Sequence, residues 1–516
     1  MFVTRHTQCI LLGLISSLAI ADDRPSVVVI MADDMGYSDI GCFGGEIHTP
    51  NLDALADNGL RFTQFYSENM CWVSRAALLT GVYHKTSLVN GAIHPRCQTL
   101  SEALRSSGYQ TRMSGKWHLA GKKHQVFPVD RGFDEYYGIL GGAASFYAPV
   151  HLTRNRKNVE AEAHSDPDYY ITDAISQEAV RMIRKSDSDQ PLFLSVAYTA
   201  AHWPLHARQE DIKRYRGRYS RGWDQLRTER LQRMKALGIV GADMRLSPRH
   251  HRIPDWESEK HKLWQERRME VYAAQVTVMD QGIGTIISAL KESGRFDNTL
   301  IFFTVDNGGC HVEYEANRKG DYLPALTRDG RPVRPGNLPH IMPGPEDTYQ
   351  SYGYGWANAS NTPWRYFKQF DHEGGIRTSM IAHWPSGISH PGTLVRSAQH
   401  LVDIMPTVLE VTQTKAEPQE IPYDGQSFAA EFRNEDNPGR TTFFFDHARG
   451  RAFRENNWKI VAAKNGRLGF SWELYDLSSD PLELHNLADA RPNVLQKLAA
   501  QWKSESKRHA QQAGLE

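Results

Sequence analysis

Four short segments, at residues 27–31, 110–114, 192–198 and 300–305, are each followed by side chains able to do chemistry. The first leads to Asp33-Asp34 and the second to Gly115-Lys116-Trp117-His118. The third leads to His202-Trp203-Pro204-Leu205-His206 and the fourth to Asp306-Asn307-Gly308-Gly309. An Asp-Asp pair after a strand is by itself an ordinary turn or helix cap. Asp33, Asp34, Asp306 and Asn307 taken together are three carboxylates and an amide oxygen. Such hard donors suit calcium or magnesium and not zinc, which favours His and Cys. A further stretch, Cys71-Trp72-Val73-Ser74-Arg75-Ala76-Ala77-Leu78-Leu79-Thr80-Gly81, sets a cysteine where a loop gives way to a helix expected to begin near Ser74. That places Cys71 at the positive end of the helix, with Arg75 four residues on and on the same face. Lys116 and His118 are two apart, so an extended backbone turns both to one side.

These residues need elements to position them. The runs at 27–31, 192–197, 300–305 and 380–382 read as strands buried on both faces, and helical patterns fill 52–58, 100–106, 171–185 and 269–292. The alternation predicts an α/β fold: a large, mostly parallel or mixed sheet sandwiched by helices. In such sheets ligands bind beyond the carboxyl ends of the strands, where the residues above fall. The segment 208–262, rich in Arg, Lys and Trp, reads as a helical insertion over that rim or as a solvated charged excursion. From residue 418 short antiparallel strands are expected at 443–445, 458–462 and 472–475, then a helix at 492–507. The expected division is an export signal at 1–21, a catalytic domain at 22–417 and a smaller C-terminal subdomain at 418–516.

Composition narrows the function. The 516 residues carry 60 Lys plus Arg against 60 Asp plus Glu, with no block of like charge, which argues against nucleic acid as a partner. A 40% hydrophobic and 10% aromatic content is that of a globular enzyme. Arg5 and His6 precede an apolar run at 9–20 that ends on the small-residue site Ala19-Ile20-Ala21. The run falls short of the roughly 20 residues that span a bilayer. The expectation is a secreted or periplasmic protein whose mature form has no membrane span. With Cys9 in the signal and Cys71 reserved for chemistry, Cys42, Cys97 and Cys310 allow at most one disulfide.

The Cys71 stretch resembles the signature of the type I, formylglycine-dependent sulfatases, arylsulfatase-like members of the alkaline-phosphatase superfamily: Cys-x-Pro-Ser-Arg, then x-x-Leu-x-Thr-Gly. Only the proline departs, replaced by Val73. Ala32-Asp33-Asp34-Met35-Gly36-Tyr37, Thr49-Pro50-Asn51-Leu52-Asp53, Gly115-Lys116-Trp117-His118, Asp306-Asn307-Gly308, Glu373-Gly374-Gly375-Ile376-Arg377 and Glu473-Leu474-Tyr475-Asp476-Leu477 are similar to that family's blocks, in the same order.

The resemblance implies a sulfuric ester hydrolase acting on a sulfated small molecule or sulfated glycan, after a maturation enzyme has oxidised Cys71 to formylglycine. It implies Ca2+ on Asp33, Asp34, Asp306, Asn307 and modified Cys71. Arg75 would hold the hydrate oxygens, Lys116 would contact hydrate or sulfate, and His118 would be the base for sulfate elimination. His202 and Lys368 would bind the sulfate ester, with His202 protonating the leaving oxygen. His206, His372 and Arg377 are placed as further substrate contacts. Trp203, Trp356 and Trp364 are either sugar platforms or core, and Asn358-Ala359-Ser360 is an N-glycosylation acceptor sequence. Two rivals differ in kind: a poorly matured or non-catalytic homologue that binds sulfated glycan, supported by Val73 alone, and a phosphate or phosphonate ester hydrolase of the same superfamily.

Overall fold

The computed structural model describes residues 23–415, 420–463 and 470–514. The expected export signal lies outside them. The main sheet takes strands β1 (Ser26–Ala32), β2 (Leu60–Tyr66), β3 (Gln110–Gly115), β4 (Glu135–Ile139), β5 (Leu152–Arg154) and β6 (Lys157–Asn158). It continues with β7 (Leu192–Ala197), β8 (Thr299–Val305), β9 (Arg377–His383), β10 (Thr393–Val395) and β11 (Gln399–His400). Their order is β10-β2-β9-β8-β1-β7-β3-β4-β5-β6, with β11 also pairing with β2. The middle of the sheet, β8-β1-β7-β3-β4, is parallel, whereas β9 runs antiparallel to both β8 and β2. The sheet is therefore mixed.

Burial on both faces explains the unbroken apolar runs. Along β1, Val28, Ile30 and Ala32 join one core, while Val27, Val29 and Met31 join the other. The first core contains α1 (Pro50–Asp57). The second contains the inner face of α2 (Cys71–Thr80) and of α3 (Leu100–Ser106). Helix α4 (Ile171–Lys185) returns to the first core, as does α5 (Gly222–Ala236) through Trp223. So does α6 (Lys262–Glu292), a 31-residue helix that starts seven residues earlier than the apolar pattern shows. Five of its seven extra residues are polar, all but Leu263 and Trp264. They are held by contacts no periodicity reveals: Arg268 lies over the Trp264 ring at 4.2 Å and donates to Ser351 O at 2.7 Å. Asp280, which the sequence leaves without a role, accepts the Leu52 amide at 2.8 Å and the Asn51 amide at 3.2 Å. It thereby caps α1, whose own Thr49 makes no side-chain cap.

The insertion at 208–262 is neither a roof over the strand ends nor a solvated excursion. Trp223 packs edge-on against Trp356 of α7 (Gly353–Ser360), and buried Arg230 pairs with Asp39 at 2.6 Å and Glu46 at 2.8 Å. It buttresses the chain that follows Asp33-Asp34. A second sheet, β12 (Thr442–Asp446), β13 (Gly450–Glu455), β14 (Trp458–Ala463) and β15 (Glu473–Asp476), is antiparallel throughout and is covered by α8 (Pro492–Ala513). The strand β13 was not foreseen. Among the described residues no helix is long and apolar enough to cross a membrane, and Cys42, Cys71, Cys97 and Cys310 are all free thiols.

Candidate active site

Helix α2 begins at Cys71 itself, not near Ser74, so the thiol stands in the first turn beside unpaired amides. The helix is tied to the sheet by Ser74, whose hydroxyl donates to Asp306 O and accepts the Glu68 amide at 3.1 Å. This fixes the nucleophile helix against the end of β8. Behind the thiol, Arg75 donates to Asp306 Oδ2 at 3.0 Å and to Lys116 O at 3.0 Å. Lys116 Nζ, fully buried at the end of β3, is 2.5 Å from Asp33 Oδ2. Lys368 Nζ bridges Asp34 Oδ1 at 2.5 Å and Cys71 Sγ at 3.5 Å.

Three buried carboxylates, Asp33, Asp34 and Asp306, are set against three buried cations, Arg75, Lys116 and Lys368. Burial, with Asp33 close by, pushes the Asp306 carboxyl up to about 7, although Arg75 and Lys116 pull against it. Burial also opposes ionisation of Asp34, but Lys368, His202 and Lys116 outweigh it and hold that carboxyl well below its usual range. Burial lifts the Cys71 thiol despite the two lysines, so the unmodified side chain is a poor thiolate nucleophile. His118 lies well below an ordinary imidazole, through burial first and then Lys116 and Arg75. Burial takes His202 down to about 3.

A hard cation fits this cradle. Asp33 Oδ1, Asp34 Oδ2 and Asn307 Oδ1 are buried without a hydrogen-bond partner. Asn307 spends its Nδ2 on Asp34 Oδ1 at 2.8 Å and Gly308 O at 2.9 Å, which turns its oxygen free. Ligand atoms of Asp33, Cys71 and Asp306 lie within 4.8 Å of one another, as do those of Asp33, Asp34 and His202. Oxygen donors dominate, as a calcium or magnesium site requires.

In front of this cluster opens a cavity of about 470 Å³ lined by Cys71, Trp72, His118, His202, Trp203 and Lys368, among others. His202 points Nε2 toward Asp34 Oδ2 at 3.3 Å while Nδ1 is held by Trp203 O at 2.6 Å. His118 is clamped between the Trp72 ring, 5.5 Å away, and Gly142, where a Cβ would meet its Nε2 at 2.4 Å.

A family model described as Sulfatase matches residues 25–414, and one described as N-sulphoglucosamine sulphohydrolase, C-terminal, matches residues 363–512. The chain belongs to the sulfatase family. It is 34% identical to an arylsulfatase of Klebsiella aerogenes over 76% of this chain and 87% of that one. It is 32% identical to an uncharacterized sulfatase of Schizosaccharomyces pombe over 93% of each. The crystal structure of Ps i-CgsB in complex with k-i-k-neocarrahexaose superposes with a TM-score of 0.68 at 26% identity, covering 95% of this chain and 94% of that one. The protein is a sulfatase, an enzyme of sulfate ester hydrolysis, and its acidic cluster is a candidate metal site.

Within this sulfatase, the structure gathers Asp33, Asp34, Cys71, Arg75, Lys116, His118, His202, Asp306, Asn307 and Lys368 at one place. It does not bring His206, His372 or Arg377 there. His206 is fully buried, its Nε2 against Thr348 O and its Nδ1 accepting the Phe146 amide. His372 pairs with Glu473 at 3.1 Å, on the second sheet. Arg377 donates to Thr63 O at 2.8 Å and lies over the Trp364 ring at 3.9 Å. The Glu373-Gly374-Gly375-Ile376-Arg377 block joins sheets: Glu373 meets Lys459 of β14 at 2.9 Å, and Gly374 presses against Gly308, where a Cβ would lie 1.9 Å from Gly374 O. Trp356 and Trp364 are core, whereas Trp203 lines the cavity. Asn358 is 2% exposed inside α7, closed to a glycosylating enzyme in the folded protein. Residues that the sequence reading passed over also line the cavity, notably Trp72, Cys310 and Gln369. Cys310 follows Asp306-Asn307-Gly308-Gly309 directly, so the rule that flags strand ends would have found it.

Proposed function

We propose that this sulfatase is exported and removes sulfate from carbohydrate esters through Cys71 converted to formylglycine. Asp33, Asp34, Asp306 and Asn307, with residue 71, would hold Ca2+. The observation that carries the reading is the set of oxygens on Asp33, Asp34 and Asn307 buried without a hydrogen-bond partner, behind a Cys71 that groups with Asp33 and Asp306 and itself lines the cavity. Bound there, Ca2+ would offset charge on the sulfuryl oxygens and lower the pKa of a hydroxyl beside it.

Sγ occupies the place one hydroxyl of a formylglycine hydrate would take on the same Cβ. That hydroxyl, its proton given up to water in the cavity, attacks sulfur, the sulfur–oxygen bond to the alcohol breaks, and the leaving oxygen takes a proton from His202. An anionic ester beside His202 raises its depressed pKa toward the working range. His118, kept neutral by burial first and then by its cationic neighbours, takes the proton of the second hydroxyl. The carbonyl re-forms, the carbon–oxygen bond to sulfate breaks, and water restores the hydrate. Lys116, Lys368 and Arg75 supply fixed positive charge throughout, already in place before substrate arrives. The carbohydrate preference draws on Trp203, whose ring lines the cavity, and on the neocarrahexaose bound by i-CgsB.

Mass spectrometry of the tryptic peptide 62–75 tests the modification. The expected peptide has lost one sulfur and two hydrogens and gained one oxygen. A fully active enzyme with an intact thiol at Cys71 would overturn the formylglycine route.

A further inference from the structure

His124, His151 and Asp321 stand together on the wall of the reaction cavity and have no part in the chemistry above. They come from three loops. His124 lies between β3 and β4, His151 just ahead of β5, and Asp321 in the long excursion after β8. Their ligand-capable atoms all fall within 4.8 Å of one another. Asp321 Oδ2 is 3.3 Å from His124 Nε2 and 3.5 Å from His151 Nε2.

Those separations discriminate between an ion pair and a metal site. A charge-assisted hydrogen bond between imidazolium and carboxylate settles at about 2.7–2.9 Å. The His124 contact is a long hydrogen bond by that measure, and His151 Nε2 is buried with no hydrogen-bond partner. Donors about 2.0–2.1 Å from a tetrahedral zinc ion, by contrast, stand about 3.3 Å from each other. Both distances match that edge. The two imidazole rings are also 4.6 Å apart at a 32° tilt, a poor arrangement for two imidazolium cations and an ordinary one for two neutral ligands. Two His and one carboxylate leave a fourth position open, and the oxygen-rich preference of calcium is not met.

We propose that His124, His151 and Asp321 bind a zinc ion, separate from the oxygen-lined site beside Cys71, with its open position toward the cavity. Neighbouring glycines show how near the two centres are: a Cβ at Gly141 would touch His124 Cε1 at 3.8 Å, and one at Gly142 would meet His118. Water, or a substrate oxygen next to the sulfate ester, takes the fourth position. The ion also cross-links three loops at the cavity wall. This site stands whether or not Cys71 is converted to formylglycine.

The test uses the untagged full chain, stripped with chelator and then given zinc in the presence of excess calcium. Zinc retained after gel filtration is measured by inductively coupled plasma mass spectrometry, and cobalt(II) substitution reports tetrahedral geometry by visible absorption. One zinc per chain is expected in the wild type and in Asp306→Ala. It is expected to be lost in His151→Gln, Asp321→Asn and His124→Ala, whose thermal melts without zinc should match the wild type because all three side chains are partly exposed. Zinc should also slow proteolysis of the 310–330 segment in the wild type and in Asp306→Ala, but not in the three ligand variants. Absence of stoichiometric zinc in the wild type overturns the proposal, and so does zinc that survives His124→Ala with His151→Gln or that is lost only in Asp306→Ala.

Discussion

Gly142→Ala is the sharpest probe of the reaction centre, because it moves one catalytic ring without altering any polar group. An added Cβ would lie 2.4 Å from both Cε1 and Nε2 of His118. The ring must retreat by about 1 Å to reach the 3.4 Å at which ordinary contact begins. Trp72 on its other side limits how the retreat can be made, and the His118 amide stays bound to Leu140 O at 3.2 Å. A displacement of about 1 Å in a proton-transfer group costs on the order of 10²-fold, or about 2.7 kcal/mol of barrier. The loss should appear in kcat, with the first sulfuryl transfer intact and the sulfated intermediate accumulating. The neighbouring Gly141→Ala is the control, since its Cβ meets nothing nearer than 3.8 Å and should change little. The assay is steady-state turnover of a sulfate ester, repeated in a His118→Ala background. If Gly142→Ala costs as much there as in the wild type, the effect does not pass through His118 and the reasoning fails.

Lys459→Met should destabilise the fold by about 3–5 kcal/mol, because it leaves buried Glu373 and Glu483 without the ammonium that lies 2.9 and 2.8 Å from them. Denaturant unfolding measures this, and a loss below about 1 kcal/mol would show that the pair contributes no more than a surface one. Asp306→Ala should abolish turnover, and exhaustive chelation of the wild type should do the same until calcium is restored. Turnover by the demetallated enzyme would remove the metal from the mechanism. Val73 lies in the first turn of α2, where a proline costs no intrahelical hydrogen bond, so Val73→Pro should fold normally and raise formylglycine occupancy of residue 71. Activity per formylglycine should be unchanged; a fall would mean that Val73 serves the folded site and not only its maturation.

Much of the reaction centre is written locally in the chain. A strand buried on both faces must be a continuous apolar run, and in a parallel sheet the residues just past such runs share one edge. Asp33-Asp34, His202 and Asp306-Asn307 were legible on that ground alone. Cys71 and Arg75 were legible from a motif that spans a single helix start. The limits of that logic are equally local. His206 and Arg377 sit beside the right segments, yet one turn of backbone aims them into packing: His206 onto Thr348 O, Arg377 onto Trp364 and Thr63 O. The early start of α6 was hidden because Arg268 is buried by a buried Trp and a carbonyl, which hydropathy cannot register.

Long-range closure decided the remainder. No pattern links residues 124, 151 and 321, which reach one cavity wall only after the strand order of the sheet has placed their loops side by side. The Glu373 block looks catalytic in the chain because it is polar, glycine-rich and close to Lys368. In the folded protein it is a seam, its glutamate spent on Lys459 and its glycines on the approach of Gly308. Sequence alone determined which chemistry-bearing groups the strand ends present, because that follows from the period and burial of each strand. Which of the remaining polar groups face the cavity, and which stitch the two sheets together, depended on distances between segments far apart in the chain, and only tertiary packing sets those.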